Sequence, residues 1–97
     1  MIRQISVFVE NQPGSMMNVT SVLTETGVNI RAISTFDTPE CGIMRLVVDD
    51  PVSAKNSLTE KGFVTRVSDV IGVELKDEQG NLNQMLKILA DGKINID

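Results

Sequence analysis

Asn11-Gln12-Pro13-Gly14-Ser15-Met16 is the stretch on which the reading of this chain turns. Before it, Ile2, Ile5, Val7 and Val9 are separated by Arg3, Gln4 and Ser6, the alternation of a half-buried strand. After it, Met16, Val19, Val22 and Leu23 recur at spacings of three and four, which draws one apolar stripe along a helix. Pro13 suits a helix start, where its missing N–H would have had no partner anyway. Gly27 suits the helix end, where the backbone turns left-handed. The six residues therefore form a strand-to-helix junction.

Working outward, Val28–Phe36 is β-branched and roughly alternating, a second strand. Asp37-Thr38-Pro39-Glu40-Cys41-Gly42 is a turn, and Ile43–Val48 is a third strand, antiparallel to the second because the connection is short. Asp49-Asp50-Pro51 reads as a cap followed by proline in the first turn of a short helix, marked by Ala54 and Leu58 and stopped by Gly62. Phe63–Val67 is a fourth strand. Residues 1–68 thus read β-α-β-β-α-β, an α+β unit of the ferredoxin-like split type, with an antiparallel sheet and its helices on one face.

The chain then repeats itself. Aligning Gly14 with Gly80, an offset of 66, brings Ile5 onto Ile71, Val7 onto Val73, Leu23 onto Leu89, Asn29 onto Asn95 and Ile30 onto Ile96. Leu82, Met85, Leu86 and Leu89 give the second helix its stripe, and Asn81 with Gln84 resembles a capping box at its start. Residues 69–97 are therefore expected to be the first half, β-α-β, of a second unit, whose counterparts of residues 32–68 are lacking. Such a half would leave a sheet gap open. The expectation is that the chain is a piece of a longer tandem protein, or that another chain supplies the missing strand.

Composition narrows the function. The 97 residues are 41% hydrophobic and 23% charged, as in an ordinary folded domain, and carry a net charge of −4 with no His, no Trp, no Tyr and one Cys. An acidic surface does not suit nucleic acid, which needs clustered Lys and Arg. Without His, general acid–base chemistry and most transition-metal sites lose their usual residue, and a single Cys makes neither a disulfide nor a thiolate zinc site. No catalytic residue, metal or cofactor is expected. No apolar window is long enough to span a membrane and the start has no signal-like segment, so the expected location is the cytoplasm.

The Asn11–Met16 loop between strand and helix, the strand Val28-Asn29-Ile30 and the repetition together resemble the ACT domain family, whose usual loop is Asp or Asn, any residue, Pro, Gly, any residue, Leu. Met16 stands in place of that Leu. Asp77-Glu78-Gln79-Gly80-Asn81-Leu82 keeps the Gly and the Leu but has Gln79 where Pro is common. The resemblance covers residues 1–68 as a first domain and 69–97 as the N-terminal half of a second. It implies a non-catalytic regulatory module that binds a small molecule, commonly an amino acid, with domains paired through their second strands and the ligand at the junction. Carried onto this chain, the ligand residues are Asn11, Gln12, Pro13, Gly14, Ser15, Met16, Asn29 and Ile30, and in the second copy Asp77, Glu78, Gln79, Gly80, Asn81, Leu82, Asn95 and Ile96.

The chemistry of these residues fits such a ligand. A helix start offers unpaired N–H groups and partial positive charge to a carboxylate, Gly14 admits a close approach, and Asn11 and Asn29 each carry a donor and an acceptor. Plainer roles compete: Pro13-Gly14 as a turn, Asn81 as a helix cap, Met16 and Met17 as packing, Cys41 as a loop residue and Asp77-Glu78 as a solvated turn. The implied partner is a second copy of the chain, forming a homodimer, or a strand-completing second chain. The alternative function is an assembly domain that pairs chains without a ligand. An RNA-binding module of the same topology stands behind both, because Phe8, Phe36 and Phe63 are the only aromatics.

Overall fold

The structure, a computed structural model, describes residues 1–96. In chain order the elements are β1 (Ile2–Glu10), α1 (Ser15–Thr26), β2 (Ile30–Asp37), β3 (Cys41–Val48), α2 (Pro51–Glu60), β4 (Val64–Val70) and α3 (Asn81–Asp91). The four strands form one antiparallel sheet in the order β2-β3-β1-β4. This is the ferredoxin-like arrangement expected from the sequence. Because β1 and β2 both run antiparallel to β3, they point the same way, and their C-terminal ends share one edge of the sheet.

One face of the sheet makes the core. Ile5 and Val7 of β1 and Met44, Leu46 and Val48 of β3 are buried against Val19 and Leu23 of α1 and Ala54 and Leu58 of α2. The predicted strands and helix stripes supply all of these side chains. The other face is open. Across it, hydrogen-bonded neighbours bring Phe36, Ile43, Phe8 and Val64 into one apolar row. Below that row Arg45 and Arg66 flank Ser6 on either side.

The strand β2 departs from expectation. Val28–Phe36 alternates as a strand should, yet Arg31–Asp37 is exposed throughout. The cause is position: β2 is an edge strand, with β3 on one side and a bulge between Ile30 and Ala32 that disturbs its register.

Helix ends follow the sequence signals closely. Asp50 caps α2, its carboxylate accepting from the Ser53 N–H at 3.2 Å and the Ser53 hydroxyl at 2.8 Å, with Pro51 as first helical residue. These bonds hold the Asp50 carboxyl below its ordinary value, the Ser53 hydroxyl being the main cause. At the C-terminus of α1, Gly27 is left-handed (φ 81°), and the N–H groups of Val28 and Gly27 donate back to the carbonyls of Leu23 and Thr24 at 3.0 and 3.1 Å.

The repeat is visible in the backbone. Gly14 (φ 85°, ψ −8°) and Gly80 (φ 89°, ψ −12°) hold the same conformation, each immediately before a helix. Around each glycine the same hydrogen bonds recur. Gln12 N–H donates to Glu10 and Asn18 N–H to Gly14 (2.9 and 3.0 Å), matched by Glu78 to Lys76 and Gln84 to Gly80 (2.8 and 3.0 Å). The helix ends match too: Lys93 and Ile94 donate to Ala90 and Leu89 as Gly27 and Val28 do to Thr24 and Leu23. Lys93 takes Gly27's place and is the non-glycine residue with positive φ, at 58°.

Two expectations need correction. The capping box at Asn81 and Gln84 does not form: Gly80 is the cap, no side chain bonds the helix start, and the Asn81 amide instead donates to the Lys76 carbonyl at 3.0 Å. The second half-unit keeps its helix but not its strands: β4 runs on to Val70, past the predicted division at 68, and residues 71–76 and 94–96 pair with no strand. Asp97, the last residue assigned to the second unit, lies outside the described residues. The strands fail for a physical reason. Their neighbours in the first unit come from β3 and β4, and no counterpart is present to bond them.

Candidate functional site

The loop at residues 11–14 bridges β1 and α1 at the sheet edge where β1 and β2 both end. It is tied down by its own first residue. The Asn11 side-chain amide donates to the Thr38 carbonyl at 3.0 Å, fastening the loop to the β2–β3 turn. The turn is itself closed by Thr38, whose N–H donates to the Cys41 carbonyl at 2.8 Å.

Beside this loop opens a cleft of about 190 Å³. Its walls are the loop and helix start (Asn11, Gln12, Ser15, Met16), the end of β1 (Val9, Glu10) and the end of β2 (Thr35, Phe36, Asp37), over a floor from β3. At the helix start, Ser15 N–H is taken by Gln12 and Asn18 N–H by Gly14. The Met16 and Met17 N–H groups between them have no backbone acceptor among the described residues. They form a donor pair at the positive end of α1. Two acidic residues, Glu10 and Asp37, are among the lining of the same cleft. The helix start and two acidic residues thus border one cleft, whose lining also includes Met16 and Phe36, both exposed.

The predicted residues divide. Asn11, Gln12, Ser15 and Met16 line this cleft. Gln12, Pro13 and Ser15 also border a shallower depression of about 360 Å³ toward β4. Gly14 lines neither, but a Cβ there would meet nothing within 4 Å, and its positive φ is what turns the chain into α1. Asn29 and Ile30 stand apart: they sit at the start of β2, the opposite end of that strand, where Asn29 N–H donates to the Asp49 carboxylate at 3.0 Å and its carbonyl accepts from Asp49 N–H at 3.1 Å. In the second copy, Asp77–Leu82 repeats the loop, but no wall corresponding to β2 faces it, and Asn95 and Ile96 are exposed.

Glu10, Thr35, Phe36 and Asp37 were not foreseen as site residues. A signal for them existed. Once β3 lies between β1 and β2, the two outer strands are parallel, and the residues ending β2 must join those ending β1.

A four-stranded ferredoxin-like sheet with a glycine-turned loop, a free helix start and a bare second-strand edge defines the ACT class of small regulatory modules. The ACT domain pair family matches residues 1–97, and the chain belongs to that family. Among solved structures it is similar to protein BT0572 from Bacteroides thetaiotaomicron, at 31% identity and a TM-score of 0.90 over 94% of this chain. The chain spans 63% of the length of that protein. The regulatory subunit of aspartate kinase from Thermus thermophilus, ligand free, shares the fold at 24% identity and a TM-score of 0.69, over 98% of this chain and 72% of that one. A formyltetrahydrofolate deformylase from Pseudomonas putida KT2440 shares it at 15% identity and 0.57, over 100% of this chain and 40% of that one. No curated protein matches the sequence. No helix among the described residues is long and apolar enough to cross a membrane.

Proposed function

We propose that this chain is a non-catalytic regulatory module that binds an amino acid in the cleft beside the Asn11–Met16 loop, acting in the cytoplasm. The observation that carries this reading is that the start of α1 and the acidic residues Glu10 and Asp37 border one cleft. The Met16 and Met17 N–H groups suit the ligand's carboxylate, and Glu10 and Asp37 suit its ammonium. Met16 and Phe36 then meet its side chain. Membership of the ACT family and the likeness to a regulatory subunit support it.

Asn29 and Ile30 enter through a second domain. If two β2 edges pair antiparallel about a two-fold axis, the Ile30 end of one lies against the Asp37 end of the other. The neighbour's Asn29 and Ile30 then close the cleft, and the ligand stabilises the paired arrangement by its preference for it. The exposed Arg31–Asp37 edge is the surface this pairing needs. The repeated loop at Asp77–Leu82, with Asn95 and Ile96, is the corresponding second site. Its Asp77 and Glu78 place acidic charge where the first loop has Asn11 and Gln12.

Thermal denaturation with each of the twenty amino acids tests the reading. A ligand at about one hundred times its dissociation constant stabilises by roughly 2.7 kcal/mol, a clear shift in midpoint. Absence of any shift from a chain that still pairs through β2 would leave an assembly domain without a ligand.

A further inference from the structure

The open face of the sheet carries a charge pattern that the cleft does not use. Strand alternation fixes which side chains stand there. Ile5 and Val7 of β1 and Met44 and Leu46 of β3 are buried under the helices, so Ser6, Phe8, Ile43 and Arg45 project from the opposite face. On β4, Val67 packs on the core, which puts its neighbour Arg66 on the open face. In register, Arg45, Ser6 and Arg66 form one row across β3, β1 and β4. The rows on either side are neutral: the apolar row that centres on Phe8 and Ile43, and a second row of Val47, Gln4 and Ser68. Asp69 borders the same surface, but it belongs to the core side with Arg3, its partner across β1. A chain of net charge −4 thus places two guanidinium groups together on this face with no acidic side chain beside them.

The arginines border a shallow depression of about 520 Å³. Half-buried Gln4, Ser6 and Ser68 make it polar, and Phe8 and Ile43 close its apolar end. With strands about 4.8 Å apart, the Arg45 and Arg66 backbones stand roughly 10 Å from each other, and both side chains are long enough to meet over Ser6. A group held there meets two guanidinium forks and a hydroxyl. A carboxylate has two oxygens and is filled by one fork, whereas a phosphate monoester has three terminal oxygens and close to two negative charges, enough for both. The apolar row lies about 6.6 Å further along the strands, two residues on. There Phe8 is 40% exposed between Ile43 and Val64, a surface on which a flat ring stacks. The flanking rows add no Lys or Arg, so the face matches one phosphate and not the succession of phosphates in a nucleic acid.

We propose that the open face of the sheet binds a phosphate monoester joined to a flat aromatic group, the chemistry of a mononucleotide. Arg45 and Arg66 clamp the phosphate above Ser6, and Phe8 lies under the ring. The site has Ile43 in common with the amino-acid cleft and is otherwise separate from it, and it does not rest on that reading.

Calorimetric titration of the whole chain with adenosine monophosphate, uridine monophosphate and flavin mononucleotide tests this, with inorganic phosphate and the dephosphorylated form of each as controls. At least one of the three should bind with a dissociation constant below about 1 mM, and its controls at least tenfold more weakly. Arg45→Gln and Arg66→Gln should each weaken that mononucleotide by about tenfold and flatten the dependence of its affinity on salt. Both side chains are exposed, so the thermal midpoint of the free protein should stay as it is. Phe8→Ser should weaken binding while leaving the salt dependence that of the native chain. The proposal is overturned if none of the three mononucleotides binds at about 1 mM, or if the double arginine variant binds as the native chain does. Inorganic phosphate bound as tightly as the mononucleotide overturns the ligand class and leaves a simple anion site. A single-stranded RNA bound far more tightly than any mononucleotide overturns it in favour of a nucleic-acid surface.

Discussion

Leu23 and Leu89 occupy one position of the repeat, and truncating each to alanine should have very different consequences. Leu23 is 1% exposed among Ile5, Val19, Met44 and Leu58. Its removal opens a cavity that α1, held at both ends by its caps, closes poorly. Leu→Ala changes at such sites cost about 3 kcal/mol. At roughly 0.05–0.15 kcal/mol per residue, a unit of about 70 residues has on the order of 4–10 kcal/mol in total. The variant therefore loses a third of its stability or more, and its midpoint falls by roughly 12–24 °C. Leu89 lies on a helix without a buried residue. Leu89→Ala should leave the main transition within about 1 kcal/mol of the native protein. Calorimetry of the two variants decides. Equal falls in midpoint would mean that both helices are packed alike and that the first unit does not carry the core by itself.

Asp50→Ala should destabilise α2 at neutral pH. Because the folded Asp50 carboxyl titrates below its ordinary 3.8, its contribution is complete above that value and is lost as pH falls through the lower folded one, so the variant and native midpoints should converge in acid. A gap that widens on acidification would contradict this. Lys93→Gly relieves a left-handed residue at the end of α3 by roughly 0.5–1 kcal/mol and should slow amide exchange in its last turn by about 2–5-fold; faster exchange would show that Lys93 is unstrained. Asp37→Asn should weaken the amino-acid ligand about tenfold or more without lowering the midpoint of the free protein, and unchanged affinity by calorimetric titration would remove Asp37 from the ammonium site. Gly14 is a poor probe for the same purpose. Its φ of 85° makes any substitution strain the turn whether or not a ligand is bound.

Much of this fold is legible because it is written locally. The glycine at Gly27 and the proline after Asp50 act through their own backbone, so the helix ends fall where the sequence places them. The stripes that name Val19, Leu23, Ala54 and Leu58 as core depend only on helical period. The exposure of β2 is not legible, because alternation reports that a strand has two faces and says nothing of what covers them. Asn81 was misread because an Asn three residues before a Gln carries the same signal whether it caps the helix or, one position on, begins it. Of the residues lining the cleft, Asn11, Gln12, Ser15 and Met16 are legible from the loop. The part from Thr35 to Asp37 depends on which strand ends meet, and a comparison of Asn29 with Asn95 could not supply that.

The second copy separates what local sequence dictates from what tertiary structure must add. Gly80 takes the same dihedral angles as Gly14, and the loop and the helix termini reproduce the same hydrogen bonds, although the strands flanking α3 have no partners. Turn and caps therefore need only their own residues. Strand and core do not follow from them: a strand is defined by its neighbour's N–H and C=O groups, and an apolar stripe is a core only when something lies on it. A helix of 11 residues without packing is marginal in water, so α3 depends for its stability on the surface that covers its Leu82–Leu89 stripe. The apolar stripe of α3 therefore has the composition of a core face without being one, because burial is a property of two surfaces and the local sequence specifies only one of them.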